Sequence, residues 1–250
     1  MNKGSLKRFA YSAAAGLTTL FGLSALSACN LEMVKEVGYT SSRYAVTSPF
    51  TQIEIDAEGG LEFSLSYGDQ FSVTYTESEQ DKLVFSTEND TLFVTQHSDV
   101  ALIGYKKKEL SIVVPTDNKI SSVKASSGGA LECSLTGEYG AVSFESDGIL
   151  SVNLAVTAES VSLDSDGKMT AELSGSAESL NVNCDGLVSL GSKAFSAAEA
   201  RFDCDGGANF ELTCTSFLSV KCNGVCNGTY YGDPTVEKTI SGAGTLKKGE

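Results

Sequence analysis

A short phrase ending in glycine returns through the second half of the chain. It reads Glu145-Ser146-Asp147-Gly148, Asp164-Ser165-Asp166-Gly167, Asn183-Cys184-Asp185-Gly186, Asp203-Cys204-Asp205-Gly206 and Lys221-Cys222-Asn223-Gly224. A weaker copy, Ser126-Ser127-Gly128, comes before, and Ile240-Ser241-Gly242 closes the series. With Gly128, Gly148, Gly167, Gly186, Gly206, Gly224 and Gly242 as markers, the steps are 20, 19, 19, 20, 18 and 18 residues. So regular a period restricts the chain to a repeat architecture in which each unit stacks on the last.

Offsets from each glycine describe the unit. Six residues before it stand Val142, Val161, Leu180, Ala200, Leu218 and Val236, and four before it Phe144, Leu163, Val182, Phe202 and Val220. Two before it is a row of small residues, Ser126, Ser146, Ser165, Cys184, Cys204 and Cys222. The odd offsets between are mostly polar. This is period-two alternation, the mark of strands with one face buried. The Asp-Gly and Asn-Gly pairs supply bends, since glycine accepts positive φ and Asx side chains bond the local backbone. A unit of this length is too short for strand–helix–strand and fits short strands joined by tight turns. Stacked units pair each strand with its equivalent about 4.8 Å away, which turns each offset into a ladder. The fold class expected is all-β, a parallel β-solenoid over residues 119–248.

Residues 48–118 read differently. Strands are expected at 51–56, 61–66, 71–76, 82–87, 91–96 and 109–114, with turn signals at Tyr67-Gly68-Asp69 and Asn89-Asp90. The pattern is that of hairpins, and the region is expected to be a hairpin-rich cap or a small β-domain. A solenoid end needs a cover, because an open strand edge invites pairing with other chains.

The N-terminus is a leader by composition. Lys3, Lys7 and Arg8 precede an uncharged run from Phe9 to Leu26, the pattern of an export signal. Leu26-Ser27-Ala28-Cys29 resembles the lipobox of bacterial lipoproteins, in which the cysteine is acylated and becomes the first residue. The expected organisation is a signal peptide at 1–28, a polar tether at 29–47 and Cys29 as the membrane anchor of an extracytoplasmic protein. One acyl chain holds weakly and stable anchoring takes more than one; the lipoproteins resembled here carry a multiply acylated cysteine. The chain has a formal charge of −14, and without the three basic residues of the leader the remainder carries −17. That argues against nucleic acid as a partner.

Taken together, the lipobox, the hairpin-rich first half, the Val114-Pro115 junction, the glycine-marked coils and the closing Ser241-Gly242-Ala243-Gly244 resemble the bacterial auto-transporter-adhesin head family built on the GIN domain. The resemblance covers about 50–248. It implies a β-solenoid-like fold exposed outside the cytoplasm and brings no catalytic residues with it. The cysteines at one offset depart from what it would lead one to expect.

The residues themselves offer little catalytic chemistry. His97 is the only histidine, placed at a strand end, so a nucleophilic triad would have to use it. Lys106-Lys107-Lys108 is the one basic cluster and is expected at a loop tip. No Cys-x-x-Cys pair signals zinc. Cys184, Cys204 and Cys222 are expected as interior thiols, with Cys133 and Cys214, outside their row, expected to be the exposed ones. The acidic residues Glu145, Asp147, Asp164, Asp166, Asp185, Asp203 and Asp205 share the odd offsets, and oxygen-rich rows are what calcium takes as ligands. They are either a calcium-binding face or a plain solvated one. The function expected is binding or scaffolding at the cell envelope, with a glycan or a surface protein as ligand. The alternative is a polysaccharide-binding or polysaccharide-cleaving β-helix protein. Cleavage would need loops walling a cleft, which these coils cannot spare, and the chain has no tryptophan for sugar stacking.

Overall fold

The computed structural model describes residues 40–77, 81–98 and 108–250. The leader, Cys29 and the lysines at 106 and 107 lie outside them. The described residues form one compact unit.

Sixteen strands are present among the described residues: β1 (Thr40–Tyr44), β2 (Gln52–Ala57), β3 (Leu61–Gly68), β4 (Ser72–Glu77), β5 (Asp81–Glu88), β6 (Thr91–Ser98), β7 (Lys108–Pro115), β8 (Ile120–Ser127), β9 (Ala130–Ser146), β10 (Ile149–Ser165), β11 (Lys168–Cys184), β12 (Leu187–Cys204), β13 (Gly207–Cys222), β14 (Val225–Tyr231), β15 (Thr235–Ile240) and β16 (Ala243–Lys248). The long strands β9 to β13 each bend at mid-length. Their first halves build one sheet, in the order β1-β4-β7-β3-β9-β10-β11-β12-β13-β14-β16. Their second halves build another, flanked by β5, β6, β2 and β8 at one end and β15 at the other. Each turn of chain therefore makes a two-stranded rung, and rungs from β8 onward stack in parallel. This is the all-β parallel solenoid with a β-rich cap.

The core lies between the two sheets because alternate residues point inward. From the first sheet come Leu150, Val152 and Leu154, and from the second Val161 and Leu163, all buried. At about 25 cal/mol per Å² of apolar surface removed from water, columns of such side chains supply the main stabilisation. Phe202 stacks on Phe210 across the interior at 4.3 Å.

The path through the first half is not the chain order. β2 and β3 pair in parallel with β8 and β9, so residues 52–68 already form a solenoid rung. The chain then leaves, and returns as β6 and β7, which stack in parallel on the outer side of that same rung. Antiparallel strands cover the end: β4 on β7, β1 on β4, and β5 on β6 in a hairpin. That hairpin turns at Asn89 and Asp90, both at positive φ. The expected hairpin region is thus a rung and a cap together. β1 lies within the segment expected to be a tether. Tyr44, Tyr75 and Phe85 close the end of the interior, with ring centroids 4.8 Å (Tyr44–Phe85) and 4.7 Å (Tyr75–Phe85) apart. Lys108, expected on a loop tip, is buried at the start of β7.

Gly137 shows why one corner needs glycine. Its φ is +129°, and an added Cβ would also strike the ring of Tyr67. The Tyr67 hydroxyl donates to the Glu138 carbonyl at 2.7 Å and accepts from the Ile120 amide at 3.4 Å, tying β3 to the next rung.

Candidate functional site

The turn phrase forms one edge of the solenoid. Successive turns are bonded through the backbone on both sides of the glycine. Asp166 N–H donates to Ser146 O at 3.1 Å and Lys168 N–H to Gly148 O at 3.0 Å; Asp185 donates to Ser165 O at 3.1 Å and Leu187 to Gly167 O at 2.9 Å. The ladder thus runs unbroken through the bends.

The first unit needs a correction of one residue. Ser127, not Ser126, pairs with Ser146, and Gly128 N–H donates to Ala57 O, the bond that Asp147 N–H makes to Ser127 O. Gly128 therefore holds the aspartate position and Gly129 the glycine position. Ser126 lies on the outward row.

The central turn glycines have a different reason from the one expected, whereas Gly242, at φ +146°, does hold the positive φ expected of it. Gly167 and Gly186 are absent from the positive-φ set. What each requires is room: a Cβ on Gly148 would lie 2.7 Å from Gly129 O, and Cβ atoms on Gly167, Gly186, Gly206, Gly224 and Gly242 would overlap the carbonyl oxygen of the preceding glycine outright. The stacked turns approach so closely that no side chain fits between them.

The small row serves the same turns. Ser146 Oγ donates to Gly129 O at 2.7 Å and accepts from Gly148 N–H at 3.3 Å. Cys184 repeats both roles with sulfur, donating to Gly167 O at 3.7 Å and accepting from Gly186 N–H at 3.3 Å. A short side chain with one donor and one acceptor is what an inward site beside a tight turn can hold. Cys184, Cys204 and Cys222 occupy it in consecutive rungs, and Cys226 lies across the turn beside Cys222. Cys133 and Cys214, expected at the surface, are buried too, and all six described cysteines are free thiols. Burial pushes the Cys204 thiol up to about 12 and, with the adjacent Cys222, that of Cys226 up to about 11. Protonated, enclosed thiols are poor nucleophiles. Denaturing the protein without reductant and adding an alkylating reagent should label all six. Failure at Cys184, Cys204 and Cys222 together would refute the row of free thiols.

Outside the turn lies the acidic grid. Asp147, Asp166, Asp185 and Asp205 follow one another along the edge, all exposed. Glu145, Asp164, Asn183, Asp203 and Lys221 form the neighbouring outward row. Pairing within that row is already partial: Asn183 Nδ2 donates to Asp164 Oδ1 at 3.0 Å and Lys221 Nζ to Asp203 at 2.8 Å. Among the described residues no three Asp, Glu, His or Cys side chains converge to hold an ion. The carboxylates expected as calcium ligands are aligned but not gathered. Partial desolvation, then Asp185, Asp147 and Asp164, raises the Asp166 carboxyl above its ordinary 3.8. The folded state therefore holds this proton more tightly than the unfolded chain. Its stabilising contribution is full below that ordinary value and is lost as pH rises through the raised one. Asp166→Asn should flatten this fall in melting temperature and weaken the gain from added salt, which screens exposed like charges. Identical salt and pH profiles in variant and wild type would contradict a repelling row.

The outer face of the first sheet is different. Ser151, Thr170, Ser189, Asn209, Asn227 and Thr245 stack in one outward row, with Asn153, Glu172, Glu211 and Thr229 in the row beside it. Along its border, just after the turns, are exposed apolar side chains: Ile149, Leu187 and Val225. Among the described residues, depressions of about 390 and 400 Å³ lie over Glu62, Glu132, Asn153 and Glu172, and at the far corner by Glu138, Glu159 and Glu178. The first sets Glu62, Glu132 and Glu172 among Ser64, Ser134, Ser151 and Thr170, and both are open to solvent. The sequence offsets predicted the outward direction of these residues, but the hydroxyl and amide row went unremarked; its signal was the recurrence of Ser, Thr and Asn three residues after each glycine.

Comparison with known proteins places this geometry. The family model described as "putative auto-transporter adhesin, head GIN domain" matches residues 49–234. Among solved structures, a putative adhesin from Bacteroides fragilis superposes with a TM-score of 0.64 at 16% identity, covering 84% of this chain and 97% of that one. A putative adhesin from Parabacteroides distasonis gives 0.55 at 17%, covering 85% and 98%. A putative lipid binding protein from the same species gives 0.55 at 14%, covering 85% and 97%. At these identities the likeness is one of fold. A search of curated proteins found no match.

Proposed function

Since this chain belongs to the auto-transporter adhesin head GIN-domain family, we propose that it is a lipid-anchored protein of the cell envelope, and that the outer face of its first sheet is a binding surface. The observation that carries this reading is the contrast between faces. The turn edge presents aspartate in rung after rung, whereas one outward row of the first sheet presents uncharged hydroxyls and amides from Ser151 to Thr245, with Glu172 and Glu211 in the row beside it and exposed Ile149, Leu187 and Val225 along its border. Backbone ladders hold those side chains in fixed rows, so ordering them on binding costs little further entropy. Hydroxyls and amides supply both donors and acceptors, which suits a glycan or the polar surface of another protein.

Arrays of glycans and of matrix proteins, probed with the folded protein, test the reading. Ser189→Lys with Asn209→Lys should abolish whatever binding is found, and Asp185→Lys, on the turn edge, should leave it. The reverse pattern would move the site to the acidic edge, and no binding to either array would remove the ligand classes named. Release of sugar from any polysaccharide would instead favour the cleaving alternative, with the depression over Glu62, Glu132 and Glu172 as its place.

Anchoring rests on the Leu26-Ser27-Ala28-Cys29 sequence. Cys29→Ala protein expressed in a bacterium should carry no acyl chains by mass spectrometry; acyl chains on that variant would end the lipoprotein reading.

A further inference from the structure

Two inward columns change character at the last rung. Phe144, Leu163, Val182, Phe202 and Val220 succeed one another in register, each no more than 2% exposed, and the next member after Val220 is Lys238. Leu154 and Leu173 stand in a second column, and in later rungs Ser192, Leu212 and Tyr230 succeed one another there before Lys248. Both lysines are exposed, and Lys248 donates a hydrogen bond to Asp233. β15 and β16 pair only inward, with β13 and β14; among the described residues no strand takes their other edges. Most of their residues are exposed.

A free edge of this kind is a template for more β-structure. Its natural complement is the same edge of a second copy. A two-fold rotation about an axis perpendicular to the sheets sets β15 antiparallel to β15 and β16 antiparallel to β16, an isologous contact that closes as a dimer. Were the columns apolar to the end, that contact would also join two cores, through half-buried Val236, Ile240 and Leu246. Lys238 and Lys248 stand where the joined columns would meet. With the axis at Lys238, that ammonium would be enclosed beside the same charge from the other copy, while Lys248, farther from the turn, would be enclosed against the other copy's edge, and an enclosed ammonium without an anionic partner is costly.

We infer that Lys238 and Lys248 are guards on the open end of the solenoid, holding off an end-to-end dimer that the backbone edge and the adjoining columns would otherwise form. An inward-pointing charge on an edge strand acts in this way. The Asp233 partner does not remove the obstacle, because that aspartate is itself almost fully exposed and the pair would have to be desolvated together.

The test measures molar mass by light scattering over a wide range of concentration, on the full chain carrying Cys29→Ser so that no acyl chain contributes. The parent should show the single-chain mass throughout. Lys238→Val with Lys248→Leu should rise to twice that mass as concentration increases, and Lys238→Glu with Lys248→Glu should stay single. If circular dichroism shows the apolar variant unfolded, Lys238→Gln with Lys248→Gln is read in its place and should double in the same way. A folded neutral variant that keeps the single-chain mass overturns the inference. So does a parent that is already dimeric with the amides of β15 protected from exchange.

Discussion

Gly186→Ala should destabilise the protein by about 3 kcal/mol or more, although it adds a single methyl group to an exposed edge. Overpacking in rigid surroundings costs roughly 1–3 kcal/mol, and here the obstacle is backbone, which cannot rotate away. The new Cβ falls on the Gly167 carbonyl oxygen. That oxygen accepts from Leu187 N–H at 2.9 Å, and Gly186 O accepts from Gly207 N–H at 2.9 Å. Separating the turns to admit the methyl stretches these bonds, each worth about 1 kcal/mol net. Gly191→Ala is the control, because a Cβ there meets nothing within 4 Å. Urea unfolding should move the midpoint sharply for Gly186→Ala and hardly at all for Gly191→Ala. Equal midpoints would mean that the turns are not stacked as described.

Phe202→Ala should cost about 3–5 kcal/mol, the range for emptying a buried phenylalanine site. Phe202 is 2% exposed, lies between Val182 and Val220 in its column, and stacks on Phe210 at 4.3 Å. The side chains around it hang from hydrogen-bonded ladders and cannot collapse into the space. Total stabilities are of order 5–15 kcal/mol, so a large share would be lost. Because each rung touches only its neighbours, amide exchange should speed up most in β11, β12 and β13 and least in the cap. A uniform rise over the whole chain would show one cooperative block instead.

The periodic features were legible because stacking makes one position in one coil answer to the same position in the next. The alternation located the strands, the inward rows and the outward acids. The misplaced first unit has a simple cause. Ser126-Ser127-Gly128-Gly129 offers two ways to align a serine two residues before a glycine. The alignment on Gly128 slips the first rung by one, and a slip of one exchanges the faces. Cys133 and Cys214 were expected at the surface because they lie outside the cysteine row, but their even offsets from Gly129 and Gly206 place both inward, and both are buried. The 19-residue step from Gly129 to Gly148 was the available signal.

Other features were not encoded locally. Alternation shows that β2 and β6 each bury one face, but not that β6 stacks outside β2, because rung order depends on which edges are left free. Gly186 was recognisable as a required glycine, yet the requirement comes from the neighbouring turn rather than from its own φ. The acidic rows showed composition and direction. Whether carboxylates converge on an ion depends on the curvature of the edge, which periodicity does not carry. Lys238 was in plain view four residues before Gly242, where earlier coils hold Val220 and Phe202. Its meaning appears only with a free edge beside it.

The central claim is that equivalent residues of successive coils lie directly above one another. The anomalous scattering of sulfur in a crystal tests it with the chain's own atoms. Cys184, Cys204 and Cys222 should give three peaks in a line, spaced about 4.8 Å apart as neighbouring strands are, with Cys226 beside the last. Peaks scattered through the molecule, or two of them fused at the bonding distance of about 2 Å, would contradict the stacked row.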